Sequence, residues 1–146
     1  MTSKIENILL EQEKTKYATE TGLYQHMKMK SICTETNDGD SELQERIKKN
    51  PILERFFHKD ARTEVPIAGY INGKFVSRRI DRMYVLENEK TVFILDYKTD
   101  VDKNLFYDKY IHQINEYKTL ITDAFKGYKV KAFILWLNDF DLQQVN

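Results

Sequence analysis

Two acids and a lysine are the residues of this chain best suited to chemistry. Asp96-Tyr97-Lys98 closes the apolar run Val92-Phe93-Ile94-Leu95, and Asp81 lies upstream in Ile80-Asp81-Arg82. Strand side chains alternate between faces, so Asp96 and Lys98 share one face while Tyr97 points to the other. A buried carboxylate is costly unless a partner charge or a metal compensates it. Packing alone does not account for an acid, an aromatic and a lysine at the end of a buried strand. Two carboxylates offer hard oxygens that suit Mg²⁺, and a neighbouring ammonium suits a phosphate or a positioned water. Metal-dependent hydrolysis of a phosphodiester bond is the chemistry such a set would perform.

Three strands are expected to carry these residues: 64–71, 74–86 and 91–98. Asn72-Gly73 is a strong hairpin signal between the first two, and Glu87-Asn88-Glu89-Lys90 is a turn between the next two. The third strand has the unbroken apolar core of a strand covered on both faces. A long helix follows over 104–125 and stops at Gly127. A further apolar strand over 131–137 is expected to run parallel to the third, with Asn138-Asp139 turning the chain into a short edge strand over 140–145.

Helices are expected upstream. Residues 3–19 read as amphipathic, with Ser3 and Glu6 as a capping box and Ile5, Ile8 and Leu9 on one face. A second helix runs from Thr21-Gly22 through His26 to about Thr34. Asn37-Asp38-Gly39-Asp40 is a turn; it lacks the ligand spacing and closing Glu of a calcium loop. Ser41, with Gln44 behind it, caps a short helix that Asn50-Pro51 ends, and Pro51 opens another through Phe57. Helices, a three-strand meander, a helix and a strand make an α/β sandwich around a mixed sheet. A single domain is expected, with residues 1–60 as a helical N-terminal part and 61–146 as the catalytic sheet and helix.

Composition narrows the class. The chain has 146 residues, 41% of them hydrophobic and 12% aromatic, enough for one core. Lys+Arg and Asp+Glu are both 23, so the balance neither requires nor excludes a nucleic acid. Cys33 is the sole cysteine, which excludes an internal disulfide and a cysteine cage for zinc or an iron–sulfur cluster. A cytoplasmic location fits. No apolar run approaches the ~20 residues that span a bilayer, and the N-terminus does not read as a signal peptide. His58 and His112 are expected at the surface and Cys33 in the core.

The motifs, taken in order, resemble the PD-(D/E)xK nuclease superfamily. More narrowly, they are similar to the C-terminal nuclease domain of the RecB and AddA helicase–nucleases. The residues that carry the resemblance are Gly22 to His26, Glu64-Val65-Pro66, Ile80-Asp81-Arg82, Asp96-Tyr97-Lys98-Thr99 and Gln113 to Tyr117. It extends from about residue 20 to the C-terminus. It implies a restriction-endonuclease-like fold and Mg²⁺ as cofactor, with Mn²⁺ able to substitute. Asp81 and Asp96 would hold the metal, with the backbone carbonyl of Tyr97 and a nitrogen of His26 as further ligands. Lys98 would position the attacking water or offset charge on the phosphate. Glu64 would bind a second metal or orient a water. Gln113 and Tyr117 would buttress the site or touch the DNA backbone. Arg78, Arg79, Arg82 and Tyr110 are candidate DNA contacts. Arg78 stands where the family usually has a small residue, and either brings a phosphate-binding charge to the site or crowds it.

A Mg²⁺-dependent DNA nuclease is therefore expected, exonuclease-like and acting in recombination or double-strand break repair. The chain carries no Gly-x-x-x-x-Gly-Lys-[Ser/Thr] phosphate loop, so a helicase subunit or domain is an expected partner. The chain is then a piece of a helicase–nuclease or a separate nuclease module. A catalytically weak DNA- or helicase-binding module, or a restriction-type endonuclease, is the alternative.

Overall fold

A computed structural model describes residues 20–99 and 103–146; the amphipathic helix expected over 3–19 lies outside them. The elements are α1 (Glu20–Lys30), α2 (Ser41–Lys48), α3 (Pro51–Arg55), β1 (Arg62–Ile71), β2 (Lys74–Leu86), β3 (Thr91–Lys98), α4 (Lys103–Ala124), β4 (Lys129–Trp136) and β5 (Asp141–Val145). Asn72 and Gly73 both take positive φ, 52° and 77°, as the tight hairpin between β1 and β2 requires. Lys90, at φ 46°, closes the turn into β3 after one 3₁₀ turn, Glu87–Glu89. Beyond α4 the chain reverses at Gly127, whose φ of 85° suits glycine.

The strands form one sheet in the order β1-β2-β3-β4-β5. β3 and β4 pair in parallel across the α4 crossover, and the other neighbours are antiparallel. The fold is α/β, a five-stranded mixed sheet with helices on both faces. Met29, Ile32, Ile47, Leu53, Phe56 and Phe57 pack on one face against Tyr84, Phe93, Leu95 and Tyr97. Ile114, Tyr117 and Ile121 of α4 pack on the other against Ile80, Met83, Val92, Ile94, Ile134 and Trp136. All of β3 is buried, as its apolar run foretells.

Helix boundaries differ from the sequence reading. α3 ends at Arg55, short of Phe57. The N-cap of α2 is Asp40 and not Ser41: the Asp40 carboxylate accepts the Leu43 N–H at 3.0 Å. Adjacent residues of equal capping ability compete there, and the carboxylate one position earlier takes the free donor. Helix α1 ends at Lys30, short of Thr34. Its last carbonyls, and that of Ile32 beyond, turn to the Arg82 guanidinium, while the Thr34 N–H donates to Phe57 O at 3.0 Å.

One local feature of the sheet positions the site. β2 pairs with β3 from Leu86↔Thr91 to Arg82↔Leu95 and no further, whereas β3 stays paired with β4 to Lys98↔Trp136. β2 therefore leaves β3 at Asp81. Strict alternation would put Ile80 and Arg82 on one face. Instead Ile80 packs toward α4 and Arg82 reaches the α1–α3 layer, so the alternation slips by one residue at Asp81. On β1 the opposing position is Glu64, a non-glycine at φ 53°, and the register continues on either side as Thr63↔Arg82 and Val65↔Ile80. A glutamate in left-handed backbone is strained, and such strain is characteristic of functional sites.

Candidate active site

The gap opened by β2 brings the acids together. Extending the two strand registers places Glu64, Asp81 and Asp96 at one level across β1, β2 and β3. Asp81 replaces the missing strand partner: its Oδ2 accepts the Tyr97 N–H at 2.8 Å. The N–H and C=O of a strand residue point to the same side, so the Tyr97 carbonyl faces this gap as well. Tyr97 sends its ring to the opposite layer, where its hydroxyl accepts from Arg82 Nε at 2.8 Å.

Asp96 and Lys98 share the α4 face, as their spacing demands. Lys98 Nζ lies 2.8 Å from Asp96 Oδ2 and donates to Gln113 Oε1 at 2.6 Å. The same ammonium sits 4.2 Å from the centroid of the Tyr110 ring, and Tyr110 in turn lies 6.0 Å from Trp136. Asp96 is 1% exposed, and Asp81, Lys98 and His26 are buried with it. Each charge has a counter-charge or a hydrogen bond here, which is what makes its burial tolerable.

His26 comes from α1. Its Nδ1 is 3.6 Å from Asp81 Oδ1, longer than a hydrogen bond, and its ring meets Tyr97 edge-on with centroids 5.5 Å apart. Arg82 is the reason α1 sits there. Its guanidinium donates to Met29 O, Lys30 O and Ile32 O around the end of α1 and to Phe56 O after α3, and it lies 4.0 Å over the Phe57 ring. A cation at a helix C-terminus is also favoured by the helix dipole.

Arg82 is thus a correction to the sequence reading. At 2% exposure, with its donors committed to main-chain carbonyls and the Tyr97 hydroxyl, it is a structural anchor and not a phosphate contact. For Tyr117, burial removes one of the two expected roles: its ring is 1% exposed inside the α4 core cluster, where it does not touch a DNA backbone and packs beneath the site instead. Arg78 points to α4, donating to Glu116 Oε2 at 3.0 Å and to Ser77 O. Arg79 is half exposed with its Nη1 3.7 Å from Glu64 Oε2, at the edge of the same gap. His112 is exposed, His58 lies half buried beside Glu54, and Cys33 is half buried, less enclosed than expected.

Two contributors escaped the sequence reading. Trp136 backs Tyr110 and is held by Gln143, whose Oε1 accepts the indole N–H at 3.1 Å. Its signal was the placement of the sole tryptophan at the end of β4, across from Lys98. Glu116 gave a signal too: it lies one helical turn beyond Gln113 on the same side of α4.

The donor set suits a hard divalent cation: carboxylates from Asp81 and Asp96, the Tyr97 carbonyl and a nitrogen from His26. Among the described residues, no three His, Cys, Asp or Glu side chains already form a closed cage. Mg²⁺ is commonly held by one or two carboxylates and keeps several waters, so this count decides nothing.

No family model matches the chain, and no curated protein matches its sequence. In structure it is similar to SSO0001, known from a crystal structure, with 16% identity and a TM-score of 0.49 over 98% of this chain and 60% of that one. This chain therefore spans about 60% of the length of that neighbour, and likeness at this level says nothing about function.

Proposed function

We propose that the chain is a Mg²⁺-dependent DNA nuclease of the PD-(D/E)xK superfamily, RecB/AddA-like, with a restriction-endonuclease-like core. The observation that supports this most is the opening between β2 and β3. Asp81 reaches the Tyr97 amide there, while Lys98 bridges Asp96 and Gln113.

A divalent cation bound there would supply an activated water and stabilise charge on the phosphoryl and leaving oxygens. Asp81 and Asp96 would hold it with hard oxygens, aided by the Tyr97 carbonyl and His26. Lys98 would place its ammonium, which Asp96 and Gln113 fix, beside the reacting phosphate and orient the water. Glu64, in its strained backbone beside Arg79, orients a water at the rim. The buried surroundings strengthen each of these interactions. The activity is exonuclease-like, serves recombination or double-strand break repair, and is coupled to a helicase subunit or domain.

The purified protein should degrade DNA with Mg²⁺ or Mn²⁺ and stop with chelator. Asp96→Asn and Lys98→Ala should each lower the rate by roughly 10²- to 10⁴-fold. Variants that cut at the wild-type rate would refute the assignment. DNA binding without divalent-dependent stabilisation or cleavage would instead mark a binding module. Discrete fragments from a long duplex would mark a restriction-type enzyme.

A further inference from the structure

The edge strand β5 is linked to the site without reaching it. Asp141 and Gln143 lie opposite Trp136 and Ile134 in the β4–β5 register. Directly opposed residues share a face, so both stand on the α4 side of the sheet with Trp136. Gln143 is held at both ends of its amide. Its Oε1 accepts the Trp136 indole N–H at 3.1 Å, and its Nε2 donates to the Tyr107 hydroxyl of α4 at 2.9 Å. An indole nitrogen only donates, so the amide has a single orientation here. Tyr107 lies one helical turn before Tyr110, and the Tyr110 ring meets that of Trp136. Gln143, Trp136, Tyr110 and Tyr107 thus close a loop between β5, β4 and α4.

Two polar links join β5 to α4, and they differ in weight. Lys103 Nζ lies 3.1 Å from Asp141 Oδ2 and 2.8 Å from Asp139 Oδ2, but both carboxylates are exposed, and ion pairs of that kind contribute little. Trp136 is fully buried, so its N–H cannot exchange Gln143 for water without cost. Satisfying the indole requires one acceptor and nothing more. The second bond, to Tyr107, pins that acceptor and with it the edge of the ring. From the ring the path to the site is short: Trp136 lies 6.0 Å from Tyr110, and the Lys98 ammonium lies 4.2 Å from the Tyr110 centroid.

We propose that Gln143 is a positioning residue of the site, acting through Trp136 and Tyr110 on the place where the Lys98 ammonium stands. This rests on the nuclease reading. Leucine at position 143 keeps the bulk but removes the acceptor. Trp136 and Tyr110 then settle differently, and Lys98 keeps its bonds to Asp96 and Gln113 from a displaced position. Displacing a group that acts on the reacting phosphate slows the chemical step and leaves the binding of DNA intact. A role confined to packing would instead lower the melting temperature and leave the folded enzyme at its normal rate.

The test is single-turnover cleavage by the full chain with Mg²⁺ over a range of DNA concentrations. Gln143→Leu should slow the step by about threefold to tenfold, with the half-saturating DNA concentration unchanged; the loss of the Tyr110 cation–π contact sets the ceiling. Gln143→Glu keeps an acceptor for the indole and should restore most of the rate. In a Tyr110→Leu background the Gln143→Leu change should cost less than about twofold, because the intermediary is gone. A wild-type rate in Gln143→Leu, or an equal loss with and without Tyr110, overturns the proposal. Thermal melts establish that the variants fold. Should Gln143→Leu not fold, Tyr107→Phe releases the outer end of the amide at a partly exposed position, and a wild-type rate there is equally fatal. Trp136 is the sole tryptophan, so its emission follows the same linkage in chelator, without cleavage. Lys98→Ala should shift that emission in the wild-type background and not in Tyr110→Leu; an unshifted emission overturns the linkage. An inactive wild type that shows the shift counts only against the nuclease reading, whereas an active one with no loss in Gln143→Leu counts only against Gln143.

Discussion

Lys98 owes its usefulness to its neighbours. A flexible ammonium becomes a fixed charge when Asp96, Gln113 and the face of Tyr110 surround it. Tyr110 therefore acts through Lys98. Tyr110→Leu should lower cleavage by up to about tenfold, the worth of a partly desolvated cation–π contact. The check is single-turnover cleavage with Mg²⁺, where a wild-type rate in the Leu variant would contradict it. The aspartates and the lysine were legible at this scale, because their types conflict with a buried strand. The role of Arg82 was not. Its partners are carbonyls on helices about fifty positions away in sequence, and no periodicity reveals a hydrogen bond between such distant residues. Alternation, which holds for Asp96 and Lys98, does not hold at Glu64 and Asp81, where both strands slip together.

Elements act as clamps here. α1 brings His26 to Asp81, and α1 stays because Arg82 gathers its terminal carbonyls together with Phe56 O. Replacing Arg82 by Leu leaves those buried acceptors unsatisfied and removes a charge-assisted network. The loss should be about 3 kcal/mol or more, read as a lower urea midpoint at unchanged slope. Arg82→Lys should recover only part of it, since a point charge cannot match the forked geometry. At this scale the strands were read nearly to the residue. Period-2 patterning, the Asn72-Gly73 turn and the apolar run of β3 all point to one arrangement. Helix ends were read less well, because tertiary contacts terminate α1 and a competing carboxylate caps α2.

At the scale of the molecule, the described residues form three layers, and their sheet seals two tyrosines away from water. Burial pushes the Tyr97 phenol well above its ordinary range and Tyr84 up to about 12 from an ordinary 10.0. Both folded values exceed the unfolded one, so the folded state holds these protons where the unfolded chain sheds them. That contribution is intact below pH 10, falls as pH rises above it, and is exhausted for Tyr84 by about 12. The melting temperature should therefore drop over this range, and Tyr84→Phe should make the drop shallower; an equal drop in the variant would contradict the burial argument. The layer order was legible in the sequence, since a helix between two apolar strands demands a parallel crossover. The divergence of β2 from β3 was not, because pairing stops at Arg82↔Leu95 inside a strand that continues to Lys74, and no pattern of polarity marks that point. No described helix is long and apolar enough to cross a membrane.

The central claim is that Asp81 and Asp96 grip one cation in the opening between their strands. A crystal soaked in Mn²⁺ and measured at its absorption edge tests this most directly. The account predicts a single anomalous peak within about 2.0–2.3 Å of a carboxylate oxygen from each residue, lost in Asp96→Asn. Clear density for both side chains, with no peak between them at a Mn²⁺ concentration that supports cleavage in solution, would contradict it.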